Sequence, residues 1–197
     1  SYFSKSIALQ DDIKEAYIHR SSIRSVLGDI EGAIEDLNQV IEMDENADKS
    51  YAVRAYLKSR KGDLQEALAD YNRAVELSPS NASHFIGRAA IKEQLEMEES
   101  YLDDLDKAIS LSPQNYYPYH AKGAWYQNQK ENGKALEAYN QAIQIAPDEA
   151  GIYLDRGSVH LAEGNPKGAL QDLSTVISLE PKNGQAYFLQ GILYFLL

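Results

Sequence analysis

The chain contains no cysteine, which excludes disulfides, thiolate zinc centres and thiol nucleophiles while leaving the compartment open, cytoplasmic or exported. Basic residues are also short. Nineteen Lys and Arg face 30 Asp and Glu, for a net charge of -11 and a pI near 4.8. That balance repels phosphate backbones and anionic lipid and argues against nucleic acid as a partner. No apolar run is long enough for a bilayer. The longest, Ala186 to Leu197, is interrupted by Gln190, so membrane insertion is not expected. No charged-then-apolar signal segment is present and the first residue is Ser1 rather than Met, so the chain reads as a piece of a longer protein. Proline is rare, six in 197 residues, and four of the six, Pro79, Pro113, Pro147 and Pro181, stand 34 residues apart.

That spacing is the period of the whole chain. A shift of 34 residues lays Tyr17, Tyr51, Phe85, Tyr119, Tyr153 and Tyr187 over one another without a gap. A period in this range marks a stacked array, whose function resides on the faces of the stack. Five full units are read at 14–47, 48–81, 82–115, 116–149 and 150–183, flanked by half-units at 1–13 and 184–197. Each unit holds two amphipathic runs. The first has apolar residues at its fourth and tenth positions and a small one at its eighth: Ser21, Ala55, Ala89, Gly123 and Gly157. The second has a small residue at position twenty (Ala33, Ala67, Ala135, Ala169) and a larger one four residues on, Leu37, Tyr71, Tyr139 and Leu173 in those units. Two helices packed as an antiparallel hairpin account for both columns.

Turn signals agree. Gly28-Asp29, Gly62-Asp63 and Gly164-Asn165-Pro166 each supply a left-handed stop and a cap acceptor. Asn81, Asn115 and Asn183 stand where caps between units are wanted. Unit three lacks such a signal at Leu95 to Glu99 and places bulky Tyr101 at the small position. Propensity would continue the helix there. The unbroken register predicts a turn near Glu96, with looser packing around Tyr101.

A small residue at eight, an aromatic at four, Ala at twenty, Leu or Tyr at twenty-four, Ala or Val at twenty-seven and Pro at thirty-two resemble the tetratricopeptide repeat. The resemblance covers the whole chain. It departs at Glu45, where Pro is missing, and at Glu96 and Lys130, where Gly is missing. The resemblance implies an all-α, right-handed superhelical solenoid of antiparallel helix pairs whose first helices line a concave groove. It implies a non-catalytic protein-protein interaction module that binds a protein or peptide and needs no cofactor. Two subtypes are not matched. The carboxylate clamp of the chaperone-binding type needs Lys and Asn at positions five and nine, which here hold Ile18 and Ser22, Ala52 and Tyr56, Ile86 and Ala90, His120 and Ala124, Leu154 and Ser158. The Asn ladder of the sugar-transferase type is absent from position six.

Position seven is basic throughout, as Arg20, Arg54, Arg88, Lys122 and Arg156, and invites reading as a stripe for an acidic ligand. Position twenty-three answers it with Asp36, Asp70, Asp104, Ala138 and Asp172, so the unit that loses Arg also loses Asp. Ion pairs within each unit are therefore expected. Asp44, Asn46 and Asp48 open like a calcium loop, but Lys49 and Ala55 occupy its essential positions. The four histidines have no partner at metal spacing; His120 alone is expected in the groove and the others as surface or packing residues. Trp125 sits in the apolar column and is expected to pack. No nucleophile-base pair or phosphate loop is present, and no enzyme activity is expected.

Positions two, five, nine and twelve share one broad face of each first helix. The ligand-binding candidates are thus Lys49, Tyr56, Ile86, Tyr117, His120, Gln127, Asn128, Leu154 and Ser158. Tyr56, Ile86, Tyr117 and Leu154 would anchor a ligand, Gln127 and Asn128 would bond an extended peptide's amides, and the patch around unit four is expected to be strongest. The apolar edge Tyr187, Leu189, Leu193, Tyr194, Leu196 and Leu197 of the half-unit 184–197 suggests self-association. The alternative is an assembly spacer that positions neighbouring domains with no groove ligand.

Overall fold

The computed structural model describes Ser4 and residues 13–196, apart from the side chains of residues 98, 99 and 196. Phe3, Ser6, Ile7 and Leu9, which share the phase of a second helix, lie outside the described residues, as does Leu197. The described residues fold into helices without strands: α1 Ile13–Val26, α2 Ile30–Met43, α3 Asp48–Lys61, α4 Leu64–Leu77, α5 Ala82–Gln94, α6 Glu98–Leu111, α7 Tyr117–Asn128, α8 Asn132–Ile145, α9 Ala150–Ala162, α10 Pro166–Leu179 and α11 Gly184–Leu196. They form two compact units that divide between Leu111 and Ser112. In the first, α1 pairs with α2, α3 with α4 and α5 with α6, and the pairs stack through α2 on α3 and α4 on α5. In the second, α7 pairs with α8 and α9 with α10, α8 stacks on α9, and α10 on α11. First helices also meet directly, α3 with α5 and α7 with α9.

The small columns let these helices approach. Ala33, Ala55, Ala67, Ala135 and Ala169 are wholly buried, and the larger Leu37, Leu57, Leu105, Leu173 and Val159 fill the space beside them. Each such side chain removed from water contributes about 1.5–3 kcal/mol. Tyr101 departs from expectation, for it is only 2 % exposed and its surroundings are closed. A ring at the small position has been absorbed into the core. Trp125 departs the other way, remaining half-buried with its ring edge-on to Tyr126 at 5.1 Å. On α11, Leu189 and Leu193 turn inward against Ala169, Leu173 and Val176, so the exposed face is Tyr187, Phe188, Ile192, Tyr194 and Phe195.

Turns follow the register rather than propensity. Gly28, Gly62 and Gly164 are left-handed, and Glu96 and Lys130 take the same conformation at φ 57° and 60°. At both, the following N–H closes back on the helix, Met97 to Lys92 O and Glu131 to Tyr126 O at 2.9 Å. Asn81, Asn115 and Asn183 accept from Ser83, Tyr117 and Ala186 N–H groups, and Asp29 and Asn165 cap their helices. Asp63 does not cap; its carboxylate turns to the Lys61 ammonium at 3.1 Å, which outcompetes a neutral N–H.

The basic column is structural. Arg20, Arg54, Arg88 and Arg156 donate to Asp36, Asp70, Asp104 and Asp172 of their own units, each through Nε and Nη2. These carboxylates are no more than 7 % exposed. Each guanidinium also lies 5.2–5.5 Å from the aromatic ring at position four. Arg54, Arg88 and Arg156 further donate through Nη1 to Asn38, Asn72 and Asn140 on the preceding second helix. In three units a second cation closes on the same Asp, Arg24, Lys58 and Lys92 at 2.7–3.0 Å, and in the fourth the His160 ring stands 3.9 Å from it. Arg54→Ala should destabilise the fold by about 3 kcal/mol, because it strands a buried carboxylate with Lys58 alone. Urea unfolding of Arg54→Ala, Asp70→Ala and the double variant would check this; a single-variant loss below about 1 kcal/mol would contradict it.

Candidate functional site

In the second compact unit the open face of α7 and α9 is built from the inside outward. Tyr139 of α8 is fully buried with its ring against Gly123, where a Cβ would stand 2.6 Å from ring carbons, so the residue at position eight must be Gly here. Burial, with Asp155 nearby, pushes its phenol well above the ordinary range and keeps it a donor. The hydroxyl donates to Gln127 Oε1 at 2.8 Å, Gln127 Nε2 donates to Ser158 Oγ at 2.9 Å, and Ser158 Oγ donates to the Asp155 carbonyl at 2.6 Å. His120 Nε2 lies 2.7 Å from Asp155 Oδ2, with its ring 5.6 Å from Tyr139. The structure thus joins His120, Gln127 and Ser158 in one network spanning two first helices.

Three of the expected contacts differ. Gln127 already holds Tyr139 and Ser158, leaving one Nε2 hydrogen and one Oε1 lone pair for a ligand amide. His120 meets a carboxylate on its own chain. Leu154 is half-buried against the α9–α10–α11 core. Tyr117, at the start of α7, is 45 % exposed and Asn128, at its end, is exposed.

In the first unit Lys49 and Tyr56 are exposed on α3, while Ile86 packs beside Val75, Phe85 and Ala108. Lys49 and Tyr56 border an open depression of about 430 Å³ that also touches Asn81, Ser83 and His84 at the start of α5. His84 is buried, and its Nε2 is 2.8 Å from Asp48 Oδ2 and 3.0 Å from Asn81 Nδ2. Asp44 pairs with Lys14, so both acids of the calcium-like run are committed elsewhere.

The carboxylate partners of His84 and His120 stand 36 and 35 residues away, close to one repeat. These partners lie about one period away rather than at metal spacing, so the repeat and not the local sequence brings them together. The second basic side chain beside each buried Asp was missed too, although position eleven reads Arg24, Lys58, Lys92, Tyr126 and His160 and loses its basic residue in the unit that lacks Asp.

The His84 bond holds the Asp48 carboxyl below its usual 3.8. A depressed carboxylate stabilises the fold above its unfolded pKa, and that contribution disappears as pH falls through the folded value. Asp48→Asn should therefore lower stability at pH 7, by a margin that shrinks as the pH is taken progressively below the usual 3.8; urea midpoints that differ equally at neutral and strongly acidic pH would contradict the assignment.

Two tetratricopeptide repeat models match the sequence, one over residues 123–193 and one over 14–46 and 48–81. No curated protein sequence matches. Among solved structures, Pseudomonas aeruginosa PilF superposes with a TM-score of 0.82 at 17% identity, covering 93% of this chain and 83% of that one. MamA from Desulfovibrio magneticus gives 0.76 at 19%, covering 88% and 98%. YrrB, described as a TPR protein with an unusual peptide-binding site, gives 0.70 at 20%, covering 95% and 97%. Among the described residues no helix is long and apolar enough to cross a membrane. With stacked helix pairs, small columns and capped 34-residue turns matched by these models, the chain belongs to the tetratricopeptide repeat family, whose repeats mark a protein-interaction or scaffold module.

Proposed function

We propose that this is a non-catalytic interaction module that receives a peptide or extended partner segment on the open face of its first helices. One observation carries the reading: Tyr56 and Tyr117 stand 52 % and 45 % exposed on first helices whose other large side chains are mostly packed. Tyr56 borders the depression shared with Lys49 and Ser83, and the helix that begins at Tyr117 carries Gln127, bonded to Ser158, about 15 Å further along its axis. Aromatic anchors with nearby hydrogen-bonding groups concentrate binding energy. Ile86 and Leu154 then act as supports beneath the surface. A spacer with no ligand would be expected to cover or dilute such aromatics.

Tyr117→Ala should weaken the partner captured by the parent chain by about 2 kcal/mol, read by titration calorimetry. Full affinity in a Tyr56→Ala, Tyr117→Ala, His120→Ala triple variant would move the search to the opposite face.

We infer self-association at α11 as well. In the preceding pairs a second helix covers the first, whereas α11 leaves Phe188 68 % and Phe195 89 % exposed, and a second helix from another copy would bury them. Sedimentation should show association of the parent at high concentration and a monomer for Phe188→Glu, Phe195→Glu; a monomeric parent would overturn the inference.

A further inference from the structure

The two tyrosines at position twenty-four behave differently, and the difference marks a binding site. Tyr139 ends on Gln127 of its own unit. Tyr71 has Ser59 at the corresponding place, and Ser59 Oγ donates instead to Tyr56 O at 2.8 Å. The Tyr71 ring turns to the next unit, over Gly87 of α5, where a Cβ would stand 2.3 Å from Cε1 and 2.6 Å from Oη. Any larger residue at position 87 would evict the ring. Tyr71 is only 8 % exposed, yet its hydroxyl has no hydrogen-bond partner among the described residues and lines the depression between α3 and α5. Burial, with Tyr56 beside it, raises the phenol's pKa, so the group remains a neutral donor.

The α3 wall of the depression is apolar, formed by Ala52, Val53 and the Tyr56 ring, and it faces Asn81, Ser83 and His84 across the hollow. Its flanks are cationic. Lys49, Val53, Tyr56 and Arg60 follow one stripe of α3 at i, i+4, i+7 and i+11. Among the described residues Lys49 and Arg60 form no ion pair, whereas Lys58 and Lys61 are taken by Asp70, Glu66, Glu31 and Asp63. The Arg60 guanidinium rests 6.0 Å from the Tyr56 ring. In a chain of net charge -11, two cations outside any ion pair, one at each end of a hollow whose α3 wall is apolar, favour negative charge at both ends of a ligand.

The spacing sets the ligand's register. Eleven residues of helix separate Lys49 from Arg60 by about 16 Å. Five residues of extended chain span about 13 Å, with the first, third and fifth side chains on one face. Long Lys and Arg side chains close the remaining gap.

We propose that this depression binds an extended segment of a partner protein in which one apolar residue is flanked, two positions away on each side, by acidic residues. The apolar side chain enters the hollow, the Tyr71 hydroxyl donates to a backbone carbonyl beside it, and Lys49 and Arg60 meet the two carboxylates. The proposal rests on the open-face reading above and adds the partner's chemistry and its place in the first compact unit.

The test is an amide-shift NMR titration of the full chain with the blocked pentapeptide Glu-Ser-Leu-Ser-Glu, against Lys-Ser-Leu-Ser-Lys and Glu-Ser-Ser-Ser-Glu. Saturable shifts are expected in residues 49–60 and 81–87 with the first peptide, and at least tenfold weaker binding of the other two. Lys49→Glu, Arg60→Glu should weaken the acidic peptide about tenfold and favour the Lys-flanked one. Tyr71→Phe, which keeps the ring and so the fold, should weaken it about threefold to fivefold. Equal binding of all three peptides, no binding, or indifference to both variants overturns the proposal. Shifts confined to α7 and α9 would also overturn it while leaving the open-face reading intact, and a parent partner unaffected by the tyrosine triple variant would reject that reading instead.

Discussion

A buried carboxylate is the constraint on which these helix pairs depend. Asp36, Asp70, Asp104 and Asp172 sit at the interface of the two helices in their units, where an isolated negative charge would be prohibitively unfavourable. Each meets a guanidinium from the same unit and, one helical turn further on, a second basic side chain, Arg or Lys in three units and His160 in the fourth. The guanidinium is in turn fixed by an aromatic ring and, in three units, by an Asn of the preceding helix. One arginine thereby joins the helices of its own pair and ties that pair to its neighbour. The chain ends the same arrangement with neutral groups, Gln190 donating to Ser174 at 3.1 Å.

Such a rung must be present or absent as a whole. Asp without its cations is costly, and cations without Asp have no reason to be buried. The unit at 116–149 keeps the ring, Tyr119, but changes the other three members at once: Lys122 replaces Arg, Tyr126 the second basic residue, and Ala138 the Asp. Tyr139 then supplies the polar link between helices, and its hydroxyl leads through Gln127 to Ser158 and the surface. Where the interior is stabilised by a neutral phenol instead of an ion pair, hydrogen-bonding groups are carried to the open face. The loss of a structural rung and the polar network on the first helices are one event seen from two sides.

The turns show the repeat overriding local preference. Glu96 and Lys130 occupy a left-handed conformation that disfavours any side chain bearing a Cβ, at a cost of about 1 kcal/mol. Flanking helices that each bury a full face outweigh that cost, and the return hydrogen bonds to Lys92 and Tyr126 hold the conformation. Tyr101 obeys the same rule: packing against the neighbouring helix draws a ring into a place usually filled by alanine.

What the sequence determined by itself was whatever repeats. The Tyr, Ala and Pro columns and the paired loss of Arg and Asp were legible because a 34-residue period presents each interaction several times, and helical periodicity assigns each column to a face. What only the tertiary structure decided was whatever occurs once. Tyr71 and Tyr139 hold the same repeat position, yet one ring lies on Gly87 of the next helix pair and the other on Gly123 of its own, a choice made by the space left in three dimensions. His84 and His120 found Asp48 and Asp155, and Gln127 found Tyr139, through contacts between separate helices that no single-helix pattern encodes. Periodicity states which side of a helix a residue occupies; which neighbour it touches depends on how closely the next helix packs, and that distance is set by side-chain volumes on both.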